Sequence, residues 1–164
     1  MQYEPKKKHF KTFVAKVVFF VLKRGIKGCY KYDSDVNEML ASLPEGTVFK
    51  LGIISNTPNI VLVKENNKLV SSKDANIKPT LEIEFKNVDA AFPLLIGKAG
   101  VSQAFAEGRF ILRGNVDDAI NIAHSMDVVE NYLFPRFITK KFIPHKIKKQ
   151  VSSFKIYAYI VFGR

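Results

Sequence analysis

Apolar positions along this chain change period more than once. From Phe10 to Leu22 they recur at helical spacing, at Phe10, Phe13, Val14, Val17, Val18 and Val21, with Lys11, Lys16 and Lys23 interrupting them. That pattern predicts an amphipathic helix, and Gly25 or Gly28 is its expected end. Its longest uninterrupted apolar run is only Val17 to Leu22, too short for a signal-peptide core and far short of the ~20 residues of a membrane span. Such a helix packs on its own domain or lies on a membrane or partner, and Phe19, Phe20 and Leu22 widen its apolar face. A second, short helix is expected over 33–43, capped by Asp33 or Ser34 and ended by Pro44-Glu45-Gly46.

Then the period changes. Val48 to Ile54 and Ile60 to Val63 are β-rich, Glu65-Asn66-Asn67-Lys68 is a turn, and Lys68 to Ser72 resumes as a strand, which predicts an antiparallel meander. In Leu81-Glu82-Ile83-Glu84-Phe85 apolar and acidic residues alternate strictly, so one face is buried and one is wet. Asn87 or Asp89 caps a helix carrying Ala91, Phe92, Leu94, Leu95 and Ile96; a short helical piece follows from Ser102 to Ala106. The strand Arg109-Phe110-Ile111-Leu112-Arg113 comes next. Paired with 81–85, it lets Glu82 and Glu84 meet Arg109 and Arg113 across the wet face. Asp117 to Asn131 reads as an amphipathic helix with Ile120, Ala123 and Val128 or Met126 inward, and Pro135 to Gln150 as a basic helix interrupted at Pro144. Phe154 to Phe162 is an apolar tail, a strand or closing segment. This order of elements is α+β, a mixed sheet covered by helices on one face.

Charge sharpens the picture. The net charge is +11, but residues 1–31 hold nine Lys or Arg against one acid, and 131–164 hold eight against none. The span between them carries nine basic and fourteen acidic residues. A mildly acidic body with two basic ends suits a phosphate-bearing surface, anionic lipid or nucleic acid. Cys29 is the sole cysteine, which excludes an internal disulfide and a cysteine-based zinc site and points to the cytosol. Candidate chemistry is sparse. His124 near Asp117 and Asp127 is the closest approach to a general base, and no nucleophile elbow, metal-ligand spacing or phosphate loop is present. No cofactor or metal is therefore expected. Gly97-Lys98-Ala99-Gly100 resembles the backbone-clamping loop of KH domains. Its surroundings, 79–108, hold four acids and two lysines and would repel phosphate. The glycines read more simply as helix ends, and nucleic acid is not the expected partner.

The stretch Thr80 to Tyr132 resembles the sterol carrier protein type 2 family of lipid-binding domains. The features that carry the resemblance are the alternating strand 81–85, the helix ending at Gly97-Lys98, Ala104-Phe105, the run Gly-Arg-Phe-Ile-Leu-Arg-Gly-Asn at 108–115, and the helix opening near Asp117. Met126-Asp127-Val128-Val129-Glu130 is similar to bacterial members proposed as lipid carriers for quinone biosynthesis. The resemblance implies a five-stranded sheet whose helix-covered face encloses an apolar tunnel, and a non-enzymatic role in holding a fatty acyl, sterol-like or polyprenyl ligand. By position it implies Ile83, Phe85, Phe92, Leu95, Ile96, Phe105, Phe110, Leu112, Ile120 and Met126 as lining, with ordinary core packing the alternative for each. The basic ends are not family hallmarks.

Residues 1–31 are thus expected to form a basic amphipathic helix, and 32–164 a lipid-binding domain with a basic C-terminal segment, in one compact unit. Lys6, Lys7, Lys8, Lys11, Lys16, Lys140, Lys141, Lys146, Lys148 and Lys149 are the residues expected to dock on an anionic membrane. The expected location is cytoplasmic, with peripheral membrane contact as the finer reading. A nucleic-acid binder using the same ends, or a ligand-free interaction subunit, are the competing classes.

Overall fold

The computed structural model describes residues 9–54, 56–74, 77–99, 101–134 and 147–163. Along them run α1 (His9–Tyr32), α2 (Ser34–Ala41), β1 (Val48–Ile53), β2 (Asn56–Glu65), β3 (Lys68–Ser71), β4 (Leu81–Phe85), α3 (Val88–Leu95), α4 (Val101–Ala106), β5 (Phe110–Arg113), α5 (Val116–Leu133) and α6 (Ser153–Phe162). The strands form a five-stranded sheet in the order β3-β2-β1-β4-β5. β1, β2 and β3 are the expected antiparallel meander, β4 joins β1 in parallel, and β5 returns antiparallel beside β4. The architecture is α+β with a mixed sheet.

Register explains why the helices lie where they do. Phe49, Leu51 and Ile53 of β1 stand beside Leu81, Ile83 and Phe85 of β4, and Ile83 and Phe85 stand beside Leu112 and Phe110 of β5. Alternation puts all of these side chains on one face, where they join Phe19, Leu22 and Ile26 of α1, Leu40 of α2, Leu95 of α3 and Ile122 and Val129 of α5 in one apolar core. The opposite face carries charge. Lys50 Nζ donates to Glu82 Oε1 at 2.6 Å and Glu84 Oε1 at 2.9 Å, while Arg113 Nη1 donates to the second oxygens at 2.6 and 2.8 Å. The expected partnership with two arginines is therefore half right. Arg109 lies before the strand begins and pairs with Glu107, and β1 supplies the second cation through Lys50.

Local signals are honoured at most element ends. Asp33 caps α2 by accepting from Asp35 N and Val36 N, both at 3.1 Å. Asn66 and Asn67, at φ 51° and 54°, make the two-residue turn between β2 and β3, the left-handed pair a tight hairpin needs. Asn87 caps α3 and Asn115 caps α5.

Three expectations fail for physical reasons. α1 runs on to Tyr32 rather than stopping at Gly25 or Gly28. A Cβ on Gly25 would come 3.0 Å from Val129 Cγ1, and one on Gly28 2.9 Å from Tyr159 Cδ1, so these glycines admit neighbouring helices instead of ending their own. The apolar tail is helix α6, not a strand. Ser152 caps it, Ile156 and Ile160 bury one stripe on α1, and Arg24 donates to the last carbonyls, Ile160 O at 2.5 Å and Gly163 O at 2.7 Å. On α5 the inward stripe is Ala119, Ile122, Met126 and Val129, while Ile120 is exposed. The expected helix over Pro135 to Gln150 falls mostly outside the described residues, and Ile147 to Gln150 is not helical.

Candidate functional site

The sheet's helix-covered face does not close at its β5 edge. Ile83, Phe110 and Leu112 from the sheet, Phe105 from α4, and Val116, Ala119, Ile120 and Ala123 from α5 surround a cavity of ≈ 290 Å³. The spacing of the four α5 residues puts them on one helix face. Asn115 starts that helix by accepting from Asp117 N at 2.8 Å, so α5 crosses the strand end instead of continuing it. Phe110 stacks edge-on to Phe85 and tilted to Phe105, both with ring centres 5.6 Å apart. Phe105 is 60% exposed and Ile120 47%; with exposed Val116 they make an apolar rim. Every lining side chain is hydrocarbon. Such a site can hold an apolar body but has no group for acid, base or nucleophilic chemistry.

The residues expected to line a tunnel divide among several places. Ile83, Phe105, Phe110, Leu112 and Ile120 meet in this cavity. Phe85 is buried behind it in the core. Leu95 belongs to a second cavity of ≈ 140 Å³ between α1, α3, α5 and α6, with Val17, Val18, Val21, Leu22, Leu94, Glu130, Leu133, Phe134 and Tyr157. Met126 lines a void of only ≈ 20 Å³ under α1, α2 and the sheet. Phe92 is half-buried beneath the Lys11 ammonium, 5.3 Å from its ring centre, and Ile96 is the C-cap of α3. Among the lining residues that sequence reasoning missed are Val116, Ala119 and Glu130. The first two were findable as an i, i+3, i+7 stripe with Ala123. Glu130 carried the signal of an acid among Val128, Val129 and Tyr132.

Burial perturbs several groups. Glu130 is 7% exposed, and loss of solvation, reinforced by Asp127, pushes its carboxyl up to about 8. Burial pushes the Cys29 thiol up to about 12, which leaves it unreactive. Tyr132 is held by burial and by its bond to Asp33 at 2.6 Å, and its phenol is likewise raised to about 12. The same phenolic oxygen accepts from Gln150 N at 2.8 Å and Val151 N at 3.2 Å, tying the segment before α6 to α5. His124 is exposed. Among the described residues no cluster of His, Cys, Asp or Glu is arranged to hold a metal ion.

The expected docking lysines are only partly in view. Lys16, Lys148 and Lys149 are exposed, whereas Lys11 donates to Asp89 at 2.6 Å; Lys6, Lys7, Lys8, Lys140, Lys141 and Lys146 lie outside the described residues. The exposed apolar side chains beside them were only partly foreseen. Phe19 and Leu22 are buried in the core, but Phe10, Phe13, Val17 and Phe20 form an exposed stripe along α1. Phe154, Tyr157, Val161 and Phe162 are exposed on α6, which packs on α1. Among the described residues, no helix is long and apolar enough to cross a membrane.

No protein-family model matches the sequence, and no curated protein does. Solved structures do. One, described as "UbiJ-SCP2 Ubiquinone synthesis protein", is 13% identical, with a TM-score of 0.45 over 75% of this chain and 98% of that one. Sterol carrier protein 2 from Yarrowia lipolytica, in its apo form, is 17% identical, with a TM-score of 0.49 over 80% of this chain and 99% of that one. Sterol carrier protein 2 like 2 from Aedes aegypti is 16% identical, with a TM-score of 0.36 over 56% and 93%. All three are described as SCP2 or sterol carrier protein 2 proteins.

Proposed function

We propose that this chain is a non-enzymatic carrier of an apolar, lipid-like molecule, held in the cavity between β5, α4 and α5. The observation that carries the reading is the lining itself: ≈ 290 Å³ bounded by hydrocarbon side chains with no titratable group. That volume sits at the lower end of the ~300–1,000 Å³ usual for small-molecule pockets, so it suits one acyl chain or one end of a longer molecule. Each buried CH₂ contributes about 0.8 kcal/mol. The exposed Phe105, Val116 and Ile120 at the rim give a long ligand apolar footing beyond the cavity.

The carrier docks on anionic membrane, in this reading, through its basic ends. Exposed Phe10, Phe13, Val17 and Phe20 on α1 lie among Lys16, Lys23 and Lys27, the combination that draws a helix into a headgroup layer. Each lysine near the surface adds about 1 kcal/mol. A cytoplasmic protein in peripheral contact with the membrane fits both properties.

Native mass spectrometry of the purified chain, followed by organic extraction, tests the carrier role. A stoichiometric fatty acid, sterol or prenyl lipid is the expected result. An empty protein that also fails to take up cis-parinaric acid overturns it in favour of an interaction subunit. For docking, the protein should co-sediment with phosphatidylglycerol vesicles and not with phosphatidylcholine alone, and high salt should release it with ligand still bound. A shift with RNA but none with anionic vesicles overturns that part.

A further inference from the structure

The two helices that carry exposed apolar side chains share one edge. On α1, Phe13, Val17 and Phe20 recur at helical spacing, and on α6 Tyr157 and Val161 do the same, all of them exposed. Arg24 joins the two stripes. Its guanidinium lies 5.3 Å from the Phe20 ring centre and donates to Ile160 O at 2.5 Å and Gly163 O at 2.7 Å. Between the stripes lies the ≈ 140 Å³ cavity, and Val17 and Tyr157 belong both to its lining and to the exposed surface. The cavity is therefore entered from the apolar face itself. Apart from Glu130 its wall is apolar, since the Tyr157 hydroxyl is committed to Leu133 O at 2.7 Å. An engineered apolar cavity of about 150 Å³ takes up benzene, so this one has room for roughly six carbons.

Charge narrows what covers this face. Neither α1 nor α6 holds an acid, while Lys16, Lys23 and Lys27 run along one edge of the α1 stripe and Lys155 stands on α6. A second copy of the chain would set these cations against their own images, because a two-fold interface meets itself, and like charges brought face to face are costly. An anionic bilayer offers the opposite sign with hydrocarbon behind it. A chain end that moves from the bilayer into the cavity exchanges one hydrocarbon surrounding for another, while the protein's apolar wall leaves water; that burial drives the step.

We propose that the cavity between α1 and α6 takes the end of one acyl chain of an anionic phospholipid, so that the docked protein grips a lipid of the membrane it rests on. This grip rests on the docking reading and names the lipid class that the α1–α6 face takes; its site is separate from the carrier cavity at β5.

Dihexanoyl-phosphatidylglycerol, added as dispersed monomers to the full-length protein, tests it through the methyl NMR signals of Val17, Val21, Leu94 and Leu133. These signals should shift saturably, and the phosphatidylcholine analogue should bind about fivefold more weakly, the effect of one lysine near an anionic headgroup. Val21→Phe fills the cavity from α1 and should abolish the shifts of Leu94 and Leu133, while cis-parinaric acid uptake and co-sedimentation with phosphatidylglycerol vesicles persist. Should that variant not fold, the wild-type titration carries the test alone. Vesicle co-sedimentation of the wild type separates the two readings. If it fails, docking itself is overturned, and the monomer titration shows whether the cavity still takes a chain. If it succeeds while none of these methyls moves, the grip is overturned with docking intact. Equal binding of the two headgroups overturns it too, as do shifts confined to Ile83, Leu112 and Ile120, which would place the chain at β5. Shifts at the α1 methyls that grow with protein concentration in the absence of lipid would give the face to a second copy instead.

Discussion

The two apolar cavities lie on the helix-covered side of the sheet yet differ in one atom group. The larger is closed by strand and helix residues that are all hydrocarbon, and its volume is set by the small side chains of Ala119 and Ala123 facing Phe110 and Leu112. The smaller lies among helices alone and contains Glu130, which is nearly inaccessible to water. A purely apolar cavity selects by size and shape, because each methylene contributes the same amount wherever it sits. A cavity edged by a carboxyl side chain can also discriminate by chemistry, since polar groups that meet there gain or lose hydrogen bonds.

The largest expected effect concerns Glu130 itself. Its folded pKa is raised, so the folded state binds a proton that the unfolded state has already released, and stability falls as pH climbs from the ordinary 4.5 toward about 8. At about 1.4 kcal/mol per unit, the loss above that range reaches at most about 5 kcal/mol. Urea denaturation of wild type and Glu130→Gln across this range should show a declining profile for the first and a flatter one for the second. Parallel profiles would remove the distinction between the cavities.

Filling the larger cavity comes next. Ala123→Phe should displace roughly four methylenes of a bound chain, about 3 kcal/mol or a hundredfold in cis-parinaric acid affinity. The decline of stability with rising pH set by Glu130 should not change; if it does, the two cavities are one coupled space.

A smaller effect is expected at the surface edging the Glu130 cavity. Replacing Phe13 and Phe20, which are exposed and so contribute little to the fold, by Ser should weaken binding to phosphatidylglycerol vesicles about tenfold or more. Thermal stability should stay within about 0.5 kcal/mol. Unchanged vesicle binding would confine docking to the lysines.

The smallest effect lies on the far side of the sheet, remote from both cavities. Glu84 is held below the ordinary carboxylate range first by its bond from Arg113, then by Lys50. Its contribution is therefore present above pH 4.5 and is lost as pH falls through the lowered value. Glu84→Gln should cost about 1 kcal/mol near pH 7 and less in acid, with ligand uptake unaltered. A change in uptake would mean that the sheet transmits strain between its faces.

Much of this was legible in the chain because local physics writes it there. Strict alternation in 81–85 gave the two faces of β4, and Asn66-Asn67 gave the hairpin. Asn87 and Asp33 were both read as possible caps and are the caps. Ile83, Phe105, Phe110, Leu112 and Ile120 were singled out and share one cavity. Where reading failed, the deciding information was not local. Gly25 and Gly28 look like a helix end until Val129 and Tyr159 are seen pressing on them. Phe154 to Phe162 is apolar except at Lys155, so no period separates helix from strand until packing on α1 buries Ile156 and Ile160.

By itself, then, the sequence determined the α+β class, the meander, the strand faces and the charge imbalance, because each follows from neighbours a few positions apart. Only the tertiary structure decided that the apolar residues leave cavities at β5 and between α1 and α6, that Arg113 finds Lys50 rather than Arg109 across the glutamates, and that Glu130 is buried. Those depend on helices and strands distant in the chain meeting at particular angles. No periodicity within a single element records where such surfaces fail to fill the space between them.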